Sequence, residues 1–259
     1  MFAKHPHVVS LLDDFTTRDR VHMVMELCVG GGLETYLHKN TPADAVAVVF
    51  MEQLMSAIAC VHRADFVHCD VKPANIMLAM DEDGTTSVRL SDFGIAHHCA
   101  PGERLRGTFG TPGYMSPEVL RGSFNRASDI WACGCVMYEC IRGEALVPDD
   151  ACTSSGKQLA FVSSRAFYNA VVMPGSGSRR GYGELESALR DMLRRDESCR
   201  FTASEASVAL RCLQPISEEC TNARVNEPVC AQRSGRQRVC ASRFARILAR
   251  RPRRWDRVH

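Results

Sequence analysis

Hydrophobic and polar positions along the chain predict a short β-hairpin followed by a mainly helical region. Two apolar, β-prone runs at 8–12 and 21–26 flank a polar turn, which is typical of a hairpin. A long apolar stretch without glycine or proline, 43–64, predicts a mostly buried helix. Farther along, the pattern predicts a strand pair at 76–78 and 88–90, a surface loop at 97–113, and helices at 129–142, 184–195 and 202–213.

Composition and cysteine spacing favour an intracellular globular protein. Of the 259 residues, 45% are hydrophobic and 24% are charged, and this length is ample for a buried core. The 13 cysteines include no pair at C-x-x-C spacing, so we expect reduced thiols rather than a zinc site or a disulfide framework. Because the N-terminus lacks a secretory apolar region and no stretch is interpreted as a membrane span, we expect a cytoplasmic or nuclear location.

The clearest chemical pattern lies at 68–75, which read HCDVKPAN. An aspartate, a lysine two residues later and an asparagine five residues later have the spacing of a phosphoryl-transfer loop. The Asp70 carboxylate can accept a hydrogen bond from a substrate hydroxyl, and Lys72 can offset charge that develops on a transferred phosphoryl group. The Asn75 amide oxygen can ligate Mg²⁺ without adding another negative charge.

Later motifs extend this pattern. A D-F-G motif begins at Asp92, 22 residues after Asp70, and its carboxylate would hold Mg²⁺ against nucleotide phosphates. Residues 110–118 read GTPGYMSPE, and residues 129–134 read DIWACG. In this order and spacing, the motifs resemble those of eukaryotic-type serine/threonine protein kinases over about residues 5–213. The amino-acid sequences of the last two segments are most similar to those of the calcium/calmodulin-dependent kinase group.

The resemblance implies an α+β, protein-kinase-like fold with a mostly helical C-lobe and a remnant of the β-rich N-lobe. It divides the chain into an N-lobe remnant at 1–27, a C-lobe at 28–215 and a basic tail at 216–259. It also implies a transferase that uses ATP and Mg²⁺ and moves the γ-phosphate to a hydroxyl of a protein substrate. The implied catalytic residues are Asp70, Lys72 and Asn75, with Asn75 and Asp92 as metal ligands.

By the same resemblance, the nucleotide-binding residues are Met25, Glu26, Cys28, Met77 and Asp92. Met25 would be the gatekeeper behind adenine, and Met77 would lie under the ring. The Glu26 carbonyl and the Cys28 amide would make the backbone hydrogen bonds to adenine.

Four further residues have structural roles in the resemblance. Thr111 would hydrogen-bond near the catalytic loop and help to shape the substrate groove. Glu118 would be buried and would need a cationic partner, for which Arg200 matches the family position. Asp129 would brace the backbone of the catalytic loop.

Three departures from the family pattern qualify the functional prediction. Cys69 replaces the arginine that usually pairs with an activation-loop phosphate, so phosphorylation of Thr108 should matter less here. Gly32 stands where an acidic residue often binds ribose. The family's Gly-rich loop, strand lysine and αC glutamate would precede His5, so the order of motifs predicts an N-terminally truncated core. Phosphate transfer is the leading hypothesis, and an inactive pseudokinase-like scaffold or truncated fragment is the alternative.

The charge distribution adds a separate question. The net charge is +2, but the segment 224–259 holds eleven arginines against Glu227 and Asp256, which is +9 and leaves 2 − 9 = −7 for residues 1–223. This tail is interpreted as a solvated disordered segment or as non-native sequence from a gene-model error. A nuclear-localisation or nucleic-acid patch and a calmodulin-target helix are the alternatives. Nucleic acid binding by the chain as a whole is not expected.

Overall fold

The computed structural model describes residues 5–81, 84–172 and 183–213. Its strands, numbered in chain order, are short: β1 (Leu11–Thr16), β2 (Val21–Met25), β3 (Phe66–Val67), β4 (Ile76–Met80), β5 (Thr86–Leu90), β6 (His97–His98), β7 (Leu105–Arg106) and β8 (Ser123–Phe124). Its helices are α1 (Leu33–Leu37), α2 (Asp44–Arg63), α3 (Pro117–Leu120), α4 (Ala127–Arg142), α5 (Ser155–Ser163), α6 (Arg165–Val172), α7 (Gly183–Met192) and α8 (Ala203–Cys212). The mixture agrees with the α+β class expected from the sequence.

Helix α2 lies at the centre of the core because nearly its whole length is apolar. Its side chains Leu54, Met55 and Ile58 are almost completely buried, and the helix packs against α8, α4 and β5. The bounds of α2 differ by one residue from those predicted for this helix. By length and composition alone α2 could cross a membrane, but 61% of that stretch is buried inside the molecule, which is what a core helix shows.

Helix α4 packs beside α2 and carries the acidic residue that braces the site. Its Trp131 is fully buried and stacks on Phe167 of α6, with ring centroids 5.3 Å apart. The helix ends at Gly143, whose φ of +73° is a left-handed conformation that favours glycine. Its start lies two residues before the predicted one, a difference within the usual variation of helix ends.

The N-terminal hairpin forms, and β2 agrees with the predicted run within one residue, but the predicted bounds of the first strand are wrong. Strand β1 begins at Leu11 and includes Asp13 and Asp14, because pairing with β2 outweighs the low strand propensity of aspartate. Val8 instead makes an isolated parallel bridge to Leu90. The hairpin exposes several large apolar side chains, among them Phe15, Val21, Met23 and Met25.

The predicted loop at 97–113 contains two short strands. Strand β6 pairs with β3, and β7 pairs with β8, both antiparallel. Two-residue strands show no readable alternation of polar and apolar positions, so the sequence pattern could not distinguish them from loop. The predicted strand pair at 76–78 and 88–90 is confirmed and extends further, as β4 and β5.

The basic tail at 216–259, with its calmodulin-target hypothesis, lies outside the described residues. The boundaries of the N-lobe remnant and the C-lobe stay predictions, because no observation tests them. The truncation inferred from the order of motifs stays a prediction for the same reason.

Candidate active site

Three polar side chains meet at Asp70: Lys72 and Asn75 from the loop between β3 and β4, and Thr111 from the segment before α3. Thr111 Oγ1 donates to Asp70 Oδ1 at 2.7 Å, and Lys72 Nζ donates to Thr111 Oγ1 at 2.7 Å. Lys72 Nζ also lies 3.0 Å from Asp70 Oδ2. Asn75 Nδ2 donates to Asp70 Oδ2 at 3.1 Å and to the Asp70 carbonyl at 2.8 Å. Residues from two segments that are far apart in sequence thus meet at one carboxylate.

The environment of Asp70 favours its ionised form. Burial alone would raise the pKa of this carboxyl group, but hydrogen bonds from Thr111, Lys72 and Asn75 hold the pKa below its ordinary value. An aspartate with a lowered pKa is ionised near neutral pH and is a weak base. Asp70 is therefore suited to accept a hydrogen bond from a hydroxyl and to orient it, more than to remove its proton early.

His68 holds the catalytic loop in place through its ring nitrogens, a role that sequence reasoning missed. Its Nε2 donates to the Ser91 carbonyl at 2.9 Å, and its Nδ1 accepts from the Asp70 amide at 3.3 Å. These two bonds require the neutral tautomer with hydrogen on Nε2. The ring of Phe93 packs edge-on against His68, with centroids 4.8 Å apart. The signal available in the sequence was a histidine directly after the apolar pair of β3, and the structure buries it completely.

Two oxygen atoms fit a Mg²⁺ site. Because the Asn75 amide nitrogen donates to Asp70, its Oδ1 faces the other way. Asp92 has φ of +56°, and its Oδ1 accepts from the Gly94 amide at 3.1 Å. Within the described ranges, no hydrogen bond engages Asn75 Oδ1 or Asp92 Oδ2. Amide and carboxylate oxygens are the donors that Mg²⁺ prefers, so these residues fit the ion.

Asp129 holds the backbone of the catalytic loop from the first turn of α4. Its Oδ2 accepts from the His68 amide at 2.9 Å, and its Oδ1 accepts from the Cys69 amide at 3.0 Å. His62 Nε2, from the end of α2, also donates to Oδ2 at 2.9 Å. Burial would raise the pKa of Asp129, but His62 and the loop amide bonds hold it below its ordinary value. Sequence reasoning did not assign His62.

Glu118 and Arg200 form a buried, bidentate ion pair, as the sequence pattern implied. Arg200 Nη1 lies 2.5 Å from Glu118 Oε1, and Nη2 lies 3.2 Å from Oε2. The arginine also donates to the carbonyls of Ala127 and Arg194, and it lies over the ring of Trp131. The ion pair ties α3 to the segment that precedes α8, and the contacts to Ala127 and Trp131 tie the same segment to α4.

The residues predicted to bind adenine lie where β2 ends and in β4. The Glu26 side chain accepts from the Ser10 amide at 2.7 Å, while neither the Glu26 carbonyl nor the Cys28 amide has a backbone partner in the described ranges. Met77 pairs with Gly32 in an isolated antiparallel bridge. The Glu26 carbonyl and the Cys28 amide therefore keep their backbone hydrogen-bonding capacity within the described ranges.

One of these side chains, Met25, departs from the setting that its predicted role suggests, whereas the prediction for Cys28 concerns its backbone amide. Met25, the predicted gatekeeper, is 47% exposed at the end of β2, because no described residue covers this face. The Cys28 side chain is buried, and burial raises the pKa of its thiol to about 11. The thiol therefore stays protonated and unreactive near neutral pH.

Comparison with known proteins decides the family. A family model described as "Protein kinase domain" matches residues 2–209. The chain belongs to the protein kinase family. The α+β, protein-kinase-like fold expected from the sequence is thereby confirmed.

The relatives are kinases by name, and one of them is named as a serine/threonine-protein kinase. The chain is 37% identical over 143 residues to "Serine/threonine-protein kinase ULK3" of Rattus norvegicus, covering 54% of this chain and 30% of that protein. It is 32% identical over 203 residues to "Calcium-dependent protein kinase 7" of Arabidopsis thaliana, covering 78% and 36%. It is 36% identical over 149 residues to "Phosphorylase b kinase gamma catalytic chain, liver/testis isoform" of Bos taurus, covering 54% and 36%.

The match covers only part of each kinase relative. The chain spans about a third of the length of the curated relatives it matches. Protein kinases in general use ATP and Mg²⁺ and act on proteins. The roles of the individual site residues in this kinase chain stay predictions.

Proposed function

We propose that this chain carries the catalytic centre of a serine/threonine protein kinase that transfers the ATP γ-phosphate to a protein hydroxyl. The observation that supports this most is the closed set of hydrogen bonds around Asp70. Thr111 and Lys72 lie within 3.0 Å of its carboxylate or of each other, which supports a site that orients a hydroxyl beside a positive charge.

In the proposed reaction, the hydroxyl oxygen of the substrate attacks the γ-phosphorus, and the bond to the leaving ADP oxygen breaks. Asp70 accepts the hydrogen bond of the hydroxyl and thereby directs a lone pair of the hydroxyl oxygen toward the γ-phosphorus. Lys72, held between Asp70 and Thr111, places a positive charge beside the oxygens that gain negative charge. As the new phosphate ester forms, the proton leaves the hydroxyl and passes to the Asp70 carboxylate, which already accepts its hydrogen bond.

The residues that would hold Mg²⁺ are Asn75 and Asp92, which keep one oxygen each without a protein partner in the described ranges. Bound Mg²⁺ supplies charge neutralisation of the nucleotide phosphates. Asp92 is kept in its left-handed backbone conformation by the packing of Phe93 against His68 and by its bond to Gly94.

The test is Mg²⁺-dependent transfer of labelled γ-phosphate to a basic protein substrate by the full-length protein. We expect Asp92→Asn to reduce transfer to background. Asp149→Asn, an exposed aspartate in the loop after α4, is the matched control and should retain the wild-type rate. Transfer that is equal in wild type and Asp92→Asn contradicts the proposal.

The same assay decides the scaffold alternative. A scaffold would bind partners or nucleotide while wild-type protein transfers no phosphate above the Asp92→Asn level.

A calmodulin-type regulator acting on residues 243–255 also stays a proposal, supported by the interleaved arginines and apolar residues of that segment. Binding of the protein to immobilised calmodulin with and without Ca²⁺ tests it, with a chain ending at residue 213 as control.

A further inference from the structure

A small apolar cluster underlies the segment that connects the D-F-G motif to α3. Val67, Cys99, Val119 and Phe124 are buried in it, and Cys69 and Phe109 pack against them. We call these six residues the anchor cluster. It is separate from the main core, which lies around α2 and α4. The anchor cluster lies next to the catalytic carboxylate, because its member Cys69 immediately precedes Asp70.

The anchor cluster is electrically neutral where a phosphate-binding pocket would need positive charge. Cys69 Sγ contacts the Val67 carbonyl at 3.6 Å and His97 Nδ1 at 4.0 Å. Burial, and then the nearby Asp129 carboxylate, raise the pKa of the Cys69 thiol well above its usual range. The side chain is therefore an uncharged, apolar group, and it cannot bind a phosphate on Thr108.

Phe109 connects the anchor cluster to the catalytic loop. Its ring lies 4.7 Å from the His97 ring and 6.0 Å from the Phe124 ring, measured between centroids. The next residue, Gly110, has φ of +112° and presses so closely on the loop that a Cβ there would lie 2.6 Å from the Cys69 carbonyl oxygen. Only glycine allows this contact without a shift of backbone.

The contact at Gly110 determines where Thr111 lies. Thr111 follows Gly110 directly, and its hydroxyl bonds to both Asp70 and Lys72 at 2.7 Å. Movement of the Phe109 ring out of the anchor cluster would carry Gly110 and Thr111 away from the loop. Since a displacement of about 1 Å can cost about 10²-fold in rate, this packing bears directly on transfer.

The outer part of the segment is also held without a phosphate. Strand β7 pairs with β8, and Arg104 donates to the Ser123 side chain at 3.0 Å and to the Ser123 carbonyl at 2.5 Å. Arg104 also forms an ion pair with Glu197. This arginine is therefore already engaged, and Thr108 makes only a 3.5 Å contact to the Val119 carbonyl.

We propose that Phe109 is a positioning residue, whose packing in the anchor cluster holds Thr111 on Asp70 and makes the transfer-competent arrangement independent of a phosphate on the activation segment. The proposal rests on the proposed function for its kinetic consequence. Its structural consequence, an ordered segment in unphosphorylated protein, does not depend on catalysis.

The structural test is amide hydrogen exchange over residues 105–116 in phosphatase-treated full-length protein. We expect slow exchange in wild type and in Phe109→Leu, which keeps an apolar side chain in the cluster. Phe109→Ala should exchange about tenfold faster in this segment. Without the ring, opening of the segment no longer disrupts packing in the anchor cluster, so the free energy of local opening is lower. Tyr168→Ala, which removes an exposed aromatic ring from α6, should match wild type.

The kinetic test is transfer by the same four proteins. Phe109→Ala should lower kcat by about 10²-fold while the KM for ATP stays unchanged, since the nucleotide contacts lie elsewhere. Phosphatase treatment should leave the wild-type kcat unchanged, and Phe109→Leu should restore most of the loss. A purely structural role would instead lower the amount of folded protein, with kcat per folded molecule unchanged.

The two tests fail separately. If wild type transfers no phosphate, the proposed function fails, and hydrogen exchange still decides the inference. The inference is overturned if Phe109→Ala leaves exchange at 105–116 unchanged. It is also overturned if the wild-type segment exchanges slowly only after phosphorylation.

Discussion

At the scale of single residues, carboxylates that are partly or fully buried in this molecule differ in what surrounds them. Asp70 and Asp129 each receive several hydrogen bonds, and their pKa values are held below the ordinary value. Glu139 on α4 is placed differently. Burial and the nearby Glu34 raise the pKa of Glu139, although the Tyr114 hydroxyl donates to it at 2.9 Å. Its ionised form is therefore costly in the folded state.

This difference predicts a pH-dependent stability. The folded pKa of Glu139 lies above its ordinary value of 4.5, so its protonated form stabilises the fold fully below that pH. The stabilisation is lost as the pH rises through the raised folded pKa. Glu139→Gln cannot ionise and still accepts from Tyr114, so we expect it to gain free energy of unfolding relative to wild type as the pH rises from 4.5 to neutrality.

Urea unfolding of both proteins at several pH values measures this difference. A free-energy difference that stays constant with pH, or that shrinks toward neutral pH, contradicts the placement of Glu139.

At the scale of elements, the close approach of the activation segment to the catalytic loop explains the geometry of Thr111. Two glycines of this region with positive φ allow a matched comparison. Gly110 would place a Cβ 2.6 Å from the Cys69 carbonyl oxygen, whereas a Cβ at Gly122 would meet nothing within 4 Å. Both substitutions carry backbone strain, and only one also carries a clash.

We therefore expect Gly110→Ala to reduce phosphate transfer much more than Gly122→Ala, by about 10²-fold if Thr111 moves by about 1 Å. Gly110→Ala should also melt at a lower temperature than Gly122→Ala, since the clash adds to the strain that both variants carry. Steady-state rates and melting temperatures of the two proteins check this. Equal loss of transfer in both variants would mean that the approach at Gly110 does not position Thr111.

Elements also show what the sequence could and could not predict. Helix α2 and the strand pair β4–β5 were predictable because their patterns are long or bounded by a clear turn. The contact of Thr111 with the loop was implied by motif order. The pairing of β7 with β8 was not predictable, because it joins two-residue strands through contacts distant in sequence. The anchor cluster was missed for the same reason, since its members come from five separate stretches.

At the scale of the whole molecule, the Glu118–Arg200 pair joins segments that are 82 residues apart. Glu118→Gln leaves a buried guanidinium without its counter-charge, and we expect a loss of about 3–5 kcal/mol in the free energy of unfolding. Arg200→Met should cost a similar amount by leaving the carboxylate buried. Because each single change orphans the other charge, the double variant should cost less than the sum of the two. Chemical denaturation measures all four proteins, and strict additivity contradicts a coupled pair.

The central claim concerns the carboxylate on which the whole arrangement converges. The most direct measurement is the rate of phosphate transfer by Asp70→Asn at saturating Mg·ATP, relative to wild type. The account predicts a fall of about 10²–10⁴-fold with unchanged affinity for Mg·ATP, because Asp70 orients the hydroxyl and does not hold the nucleotide. Equal rates for the two proteins would contradict it.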